Sequence, residues 1–228
     1  MPRQVGFWTQ DKLKILEQYL PGYLGATTTA RERIYIDAFA GPGLNRLRGT
    51  SRTIDGSPLI ALDARARNGT EFDRLFFIER DPATAAELRN VLGTRDRSQR
   101  AGVIAGDVND ELPKLIIELP PRSPTFVFVD PEGIEPRWST IQAIAPWRTE
   151  LLINFPLGMS INRNPDSKKW TRISGRTGGE SCGTRQGGLR RCCSSTRSGC
   201  ASLGTYILPN TIVSLRQAEV GISTIWSS

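Results

Sequence analysis

Four apolar runs, each closed by a carboxylate, constrain this chain more than any other feature. They are Ile34-Tyr35-Ile36-Asp37, Leu75-Phe76-Phe77-Ile78-Glu79, Val103-Ile104-Ala105 followed by Gly106-Asp107, and Thr125-Phe126-Val127-Phe128-Val129-Asp130. A fifth run, Leu151-Leu152-Ile153-Asn154-Phe155, turns polar near its end. The runs are continuous rather than alternating, which predicts strands buried on both faces of a parallel sheet. Helical patterns separate them, so the expected fold is α/β, a doubly wound and mostly parallel sheet built from right-handed βαβ units. In such sheets ligands bind beyond the carboxyl ends of the strands, where the four acids fall in register. One acid after a strand is explained by capping of the next helix; four together point to a site.

The intervening helices are legible in outline. Thr9 is the expected cap of a helix with apolar positions Leu13, Leu16, Tyr19 and Leu20, ending near Pro21-Gly22. A helix over Leu59–Ala66 is entered through Ser57 as cap and Pro58 in the first turn. Asp81 is placed to cap Pro82–Leu92, and helices are expected over Asp110–Leu119 and Ser139–Ala145.

Composition removes several chemistries. Histidine is absent, which excludes Ser-His-Asp triads, imidazole acid–base catalysis and His-based metal sites. No window approaches the roughly 18 apolar residues of a membrane helix, and the opening Met1-Pro2-Arg3-Gln4-Val5 lacks the apolar core of a signal peptide. A soluble, cytoplasmic protein is the expectation. The net charge of +7 is uneven: residues 1–165 hold 21 basic and 20 acidic residues, residues 166–228 hold 9 and 3.

The chain therefore divides into an organised part, residues 1–165, and a basic tail, residues 166–228. From Ser174 to Cys200 the tail is Ser, Arg, Gly, Thr and Cys apart from Glu180, Gln186 and one aliphatic residue, Leu189. It carries neither strand nor helix periodicity. A disordered linker or basic arm would read this way, and so would out-of-frame translation of a GC-rich gene, the favoured reading. Resequencing the gene decides between them. Cys182, Cys192, Cys193 and Cys200 lack any C-x-x-C pair, and no metal site is expected from them. Tyr206–Leu208 and Ile212–Leu215 are strand-like, but a sheet missing its late strands is expected to be incomplete there, with an exposed, aggregation-prone edge.

The turn after the first run, Asp37-Ala38-Phe39-Ala40-Gly41-Pro42-Gly43, lets backbone approach a ligand. It lacks the third glycine of a dinucleotide fingerprint and any following G-K-[ST], which disfavours a nicotinamide oxidoreductase and excludes a triphosphate loop. Glu79 can accept two ribose hydroxyls and Asp107 an adenine amino group. Glu79 comes after Asp37 at twice the usual interval, and a polar insertion over Leu44–Asp55 with Arg46, Arg48 and Arg52 accounts for the excess. Asp130-Pro131-Glu132-Gly133 then sits at the reacting end.

This order of features resembles class I S-adenosylmethionine-dependent methyltransferases, and the residues resemble the three-Cys-motif partner protein (TcmP) family more closely. The stretches that carry it are Tyr35–Gly43, Gly56-Ser57-Pro58, Phe77–Asp81, Gly106–Asn109, Phe128–Gly133 and Leu152–Met159. The resemblance covers about residues 7–165; family members continue with a helical, aromatic-rich region and further strands that residues 166–228 do not resemble. It implies a Rossmann-like methyltransferase sheet that binds S-adenosylmethionine through Asp37, Phe39, Gly41, Gly43, Glu79 and Asp107, with Asp130, Pro131 and Glu132 as candidate catalytic residues and no metal. It also implies a partner carrying a three-cysteine motif, which the tail cysteines are not.

Asp130-Pro131-Glu132-Gly133 resembles the Asp-Pro-Pro-aromatic motif of amino-methyltransferases acting on bases, where the aromatic stacks on a flipped base. Gly133 removes that platform; Trp138, five residues on, is the nearest substitute, although an aromatic near a helix start is more often core. Asn154-Phe155-Pro156 offers a second amide and aromatic pair for a substrate wall, and Asn162-Arg163-Asn164 reads as a solvated loop ahead of a contact to phosphate or a partner. Two functions are consistent with these residues: methyl transfer with nucleic acid as substrate, or a non-catalytic interaction protein that retains the fold.

Overall fold

The computed structural model describes residues 3–131, 136–154, 212–216 and 223–225, the last two segments as backbone only. Five parallel strands form its centre in the order β6-β5-β2-β7-β8, namely β2 (Ile34–Asp37), β5 (Arg74–Glu79), β6 (Ala101–Ala105), β7 (Thr125–Val129) and β8 (Thr149–Asn154). This is the doubly wound α/β fold expected from the apolar runs. The chain moves outward from β2 to β6 and then returns to the other side of β2. The reversal point therefore lies between β2 and β7, where such sheets bind ligands.

The two faces of the sheet differ in chemistry. Alternate residues Tyr35, Phe77, Phe126, Phe128 and Leu152 point into a largely aromatic layer covered by α1 (Phe7–Ala26), α2 (Ser57–Asp63) and α3 (Pro82–Arg95). Ile34, Ile36, Ile78, Val127, Val129, Leu151 and Ile153 point into an aliphatic layer covered by α4 (Val108–Glu118) and α5 (Trp138–Ile144). The period of two in side-chain direction converts one apolar run into two cores.

Several local expectations are corrected. α1 begins after Gly6 rather than Thr9 and continues through Pro21 to Ala26. Burial of Tyr23 and Leu24 in the aromatic layer outweighs the backbone hydrogen bond that proline cannot donate. Thr27 ends the helix, its amide bonding the Leu24 carbonyl and its hydroxyl the Tyr23 carbonyl. Gly56, not Ser57, is the N-cap of α2. α4 starts at Val108 because Asp107 caps it. Asp81 caps α3 as expected, accepting from the Thr84 amide.

The polar insertion is itself a structure. β3 (Leu44–Leu47) and β4 (Thr53–Asp55) form an antiparallel hairpin, and β1 (Arg3–Val5) joins β3 in parallel to complete a small three-stranded sheet. Short strands rich in arginine carry little signal alone; pairing with a segment some forty residues away in sequence forms them. In the tail, the backbone of β9 (Ile212–Arg216) pairs antiparallel with β8, and β10 (Ser223–Ile225) with β9. The expected exposed edge at β8 is thus covered by β9 in this structure. The tail cysteines, Tyr206–Leu208 and the rest of the tail lie outside the described residues.

Candidate functional site

Three of the four acids sit at adjacent strand ends around the glycine turn. Asp37, the last residue of β2, is fully buried. Its Oδ1 accepts the Phe39 amide at 3.1 Å, which folds the start of the turn back on the strand. Its Oδ2 is buried without a hydrogen-bond partner. Burial pushes its pKa up to about 7, and repulsion from Asp130 and Glu79 adds to the rise. The Phe39 amide and the Ser57 hydroxyl pull the other way, although Ser57 completes no hydrogen bond to Oδ2. Asp37 therefore shapes the turn from within and presents no surface to a ligand. Phe39 is turned to the aliphatic layer, where it packs partly buried.

Gly41 and Gly43 adopt φ of +66° and +82°, which side-chain-bearing residues rarely occupy. A Cβ on Gly41 would meet no atom within 4 Å, so the turn is open there; one on Gly43 would lie 2.9 Å from Leu88 Cδ1. Gly43→Ala is accordingly expected to destabilise the protein by about 2 kcal/mol, from the strained φ and the crowding of α3 together. Urea denaturation measures it, and an unchanged midpoint would contradict this packing.

Glu79 binds the turn from the neighbouring strand. Its Oε2 accepts the Gly41 amide at 2.9 Å and its Oε1 the Asp81 amide at 2.9 Å. Each carboxylate oxygen keeps a further lone pair, and the residue is partly exposed at the mouth of the turn. Asp107 caps α4 through Oδ1, which accepts from the Asn109 amide and Asn109 Nδ2, both at 2.8 Å. Its Oδ2 has no hydrogen-bond partner among the described residues. Asn109 Oδ1 in turn accepts from the Arg137 amide and Thr140 Oγ1, which ties α5 to this corner.

Asp130 comes directly after β7 and stands in a different cluster. Its Oδ1 accepts from Lys12 Nζ at 2.7 Å and from Asn154 Nδ2 at 2.6 Å. Both members of the Lys12–Asp130 pair are mostly buried. Lys12 also lies 4.3 Å from the centre of the Trp8 ring, a cation–π arrangement. Pro131 is buried, and Glu132, Gly133, Phe155, Pro156 and Asn162–Asn164 lie outside the described residues.

Lys12 and Trp8 are site residues that sequence reasoning missed. Both belong to α1, more than a hundred residues from Asp130, and only the tertiary fold brings them there. Trp138, for which the core reading outweighs the platform reading, packs partly buried against the aliphatic layer. Asn154, expected in a substrate wall, donates its side-chain amide to Asp130.

The donor set suits a nucleoside-bearing ligand. Glu79 and Asp107 are acceptors flanking an open glycine turn, and a ligand with ribose hydroxyls and an exocyclic amine supplies the matching donors. The residues present therefore fit S-adenosylmethionine.

No protein-family model and no curated protein matches the chain. Among solved structures, similarity extends to an rRNA methylase from Streptococcus thermophilus, 11% identical over 64% of this chain and 72% of that one, with a TM-score of 0.40. A Clostridium thermocellum protein described as an rRNA methylase is 11% identical over 92% of this chain and 97% of that one, TM-score 0.41. A Streptococcus mutans protein described as a methyltransferase, solved in complex with SAH, is 10% identical over 61% and 69%, TM-score 0.38. The fold class itself is set by this chain's own strand order.

Proposed function

We propose that the protein binds S-adenosylmethionine across the glycine turn and transfers its methyl group to an acceptor held near Asp130. The observation that carries this reading is Glu79, a partly exposed carboxylate tied to the glycine turn by the Gly41 and Asp81 amides, with a lone pair left on each oxygen. Glu79 would hold the ribose, Asp107 Oδ2 the adenine amine, and Gly41 would let the ligand's chain approach the backbone. Bound there, the cofactor supplies an electrophilic methyl group. The protein then needs mainly to position the acceptor, which suits a chain without histidine. Asp130, its Oδ1 taken by Lys12 and Asn154, keeps Oδ2 to accept a hydrogen from the acceptor amine.

Nucleic acid is the proposed acceptor, on the likeness of Asp130-Pro131-Glu132 to amine-methylating motifs. The resemblance to the TcmP family extends the proposal to a three-cysteine-motif partner and to the cytoplasm. Among the described residues, no helix is long and apolar enough to cross a membrane.

Titration calorimetry with S-adenosylhomocysteine tests the cofactor site. Glu79→Ala is expected to weaken binding roughly 10- to 100-fold, the worth of a hydrogen-bonded charged acceptor, with Asp107→Ala weakening it less. Asp37→Ala is expected to weaken it through collapse of the turn. Unchanged affinity in all three variants would overturn the assignment. The second reading, an interaction protein that keeps the cofactor fold without turnover, is favoured by one observation: Asp130 is already ion-paired to Lys12. Cofactor binding with no methyl transfer to DNA, RNA or protein would decide for it.

A further inference from the structure

We infer that the β3–β4 hairpin and the first turn of α1 together form a docking surface for a single-stranded polynucleotide. The inference names the substrate class of the proposed methyl transfer. Docking itself stands on this surface alone; only the methyl transfer after docking rests on that reading.

Two observations meet on this face. The first is charge. Arg46, Arg48 and Arg52 are exposed on the hairpin, and none has an ion-pair partner among the described residues. Residues 1–10 contain no acid, and the hairpin's one acid, Asp55 at the end of β4, is ion-paired with Arg95 at 3.1 Å, although Arg52 shares a cavity lining with Glu17, Asp55 and Asp63; the uncompensated charge is therefore that of Arg46 and Arg48. Arg46 and Arg48 flank buried Leu47, and the strand's alternation sends both to the outer face.

The second is aromatic exposure. Phe7 is 64% and Trp8 49% exposed, two of the three large apolar side chains left in solvent among the described residues. The Arg48 amide bonds the Val5 carbonyl at 2.9 Å, which sets the arginine hairpin two residues from Phe7. Exposed rings beside a basic track are what a single strand needs: phosphates for the cations and unstacked bases for the rings. A duplex hides its base faces and cannot use them.

The surface also leads to the site. The hairpin springs directly from Gly43, and its ends are clamped by the Gly56 amide on the Gly43 carbonyl at 2.7 Å. One helical turn beyond Trp8, Lys12 reaches Asp130. A strand lying on this face thus runs from the arginines, across two rings, to the carboxylate proposed to hold the acceptor.

Fluorescence anisotropy of a labelled, mixed-sequence single-stranded RNA of about 20 nucleotides, with the full chain over a salt series, tests the inference. The same sequence as single-stranded DNA and as duplex forms the comparison. Wild type is expected to bind both single strands and to bind duplex more weakly. The triple variant Arg46→Ser/Arg48→Ser/Arg52→Ser is expected to lose roughly tenfold or more in affinity and to lower the salt slope by about 2. Trp8→Ala is expected to lose roughly tenfold with the salt slope kept, since it removes stacking rather than charge. Thermal melts and S-adenosylhomocysteine titration of each variant separate misfolding from lost docking. No binding by wild type, equal or tighter binding of duplex, or binding that survives the triple variant through the basic tail would overturn it. Failure here with intact S-adenosylhomocysteine binding leaves the cofactor site standing, and the converse separates the two claims.

Discussion

Replacing Phe126 by alanine is expected to cost about 3–5 kcal/mol, the usual range for a large aromatic in a core. Phe126 lies in the central strand β7 and is fully buried. It packs edge-on to Tyr23 at 5.1 Å, stacks on Tyr35 at 5.9 Å with planes 7° apart, and meets Tyr19 at 5.8 Å. These contacts join α1 to the sheet, so the cavity would open between two layers that cannot easily collapse. Tyr19 is held from its far side by a hydrogen bond to the buried Glu150. A domain of this size holds only about 5–15 kcal/mol in total, so the variant should melt some 10 °C or more lower, roughly. Calorimetry reads the shift. A fall of only one or two degrees would mean that α1 does not pack on β7 as described.

The second large effect is a pH dependence centred on Asp37. Its folded pKa is about 7 against an ordinary 3.8, chiefly through burial. Between those values the folded state holds a proton that the unfolded chain releases. Stability from this group is complete below about pH 4 and is lost as pH rises through about 7. The full interval corresponds to about 4 kcal/mol. Asp37→Asn keeps a carbonyl for the Phe39 amide and removes the titration. The difference in unfolding free energy, variant minus wild type, is therefore expected to grow between about pH 5 and pH 8. Its absolute sign also carries the cost of a buried amide donor, but the slope does not. Parallel pH profiles from urea denaturation would show that Asp37 is charged in the folded state at all these pH values. Because Asp37 organises the glycine turn, the same titration is expected to loosen the proposed cofactor site on the alkaline side.

The strands and their acids were readable because each is a local fact. A run such as Thr125–Val129 is apolar at nearly every position only when both faces are covered, and the carboxylates of Asp37, Glu79 and Asp107 fall at strand ends because the run stops there. The sheet class and the edge that carries the site derive from these runs. Thr9 and Pro21 misled for the same local reason: capping and helix-breaking preferences are worth a few kcal/mol at most. Burial of Tyr23 and Leu24 exceeds them.

What only the tertiary structure decided concerns pairs distant in the chain. It enclosed Asp37 and turned Phe39 away from the site, whereas their positions in the turn suggested direct ligand contact. It packed Trp138 against the aliphatic layer and brought Lys12, with the Trp8 ring beside its ammonium, to Asp130. It also built β1, β3 and β4 into a sheet from segments that show no strand pattern alone. Local preference is written residue by residue and can be read from the amino-acid sequence. Which distant side chains share a carboxylate depends on how the layers stack, and that is settled only when the whole apolar surface is buried at once.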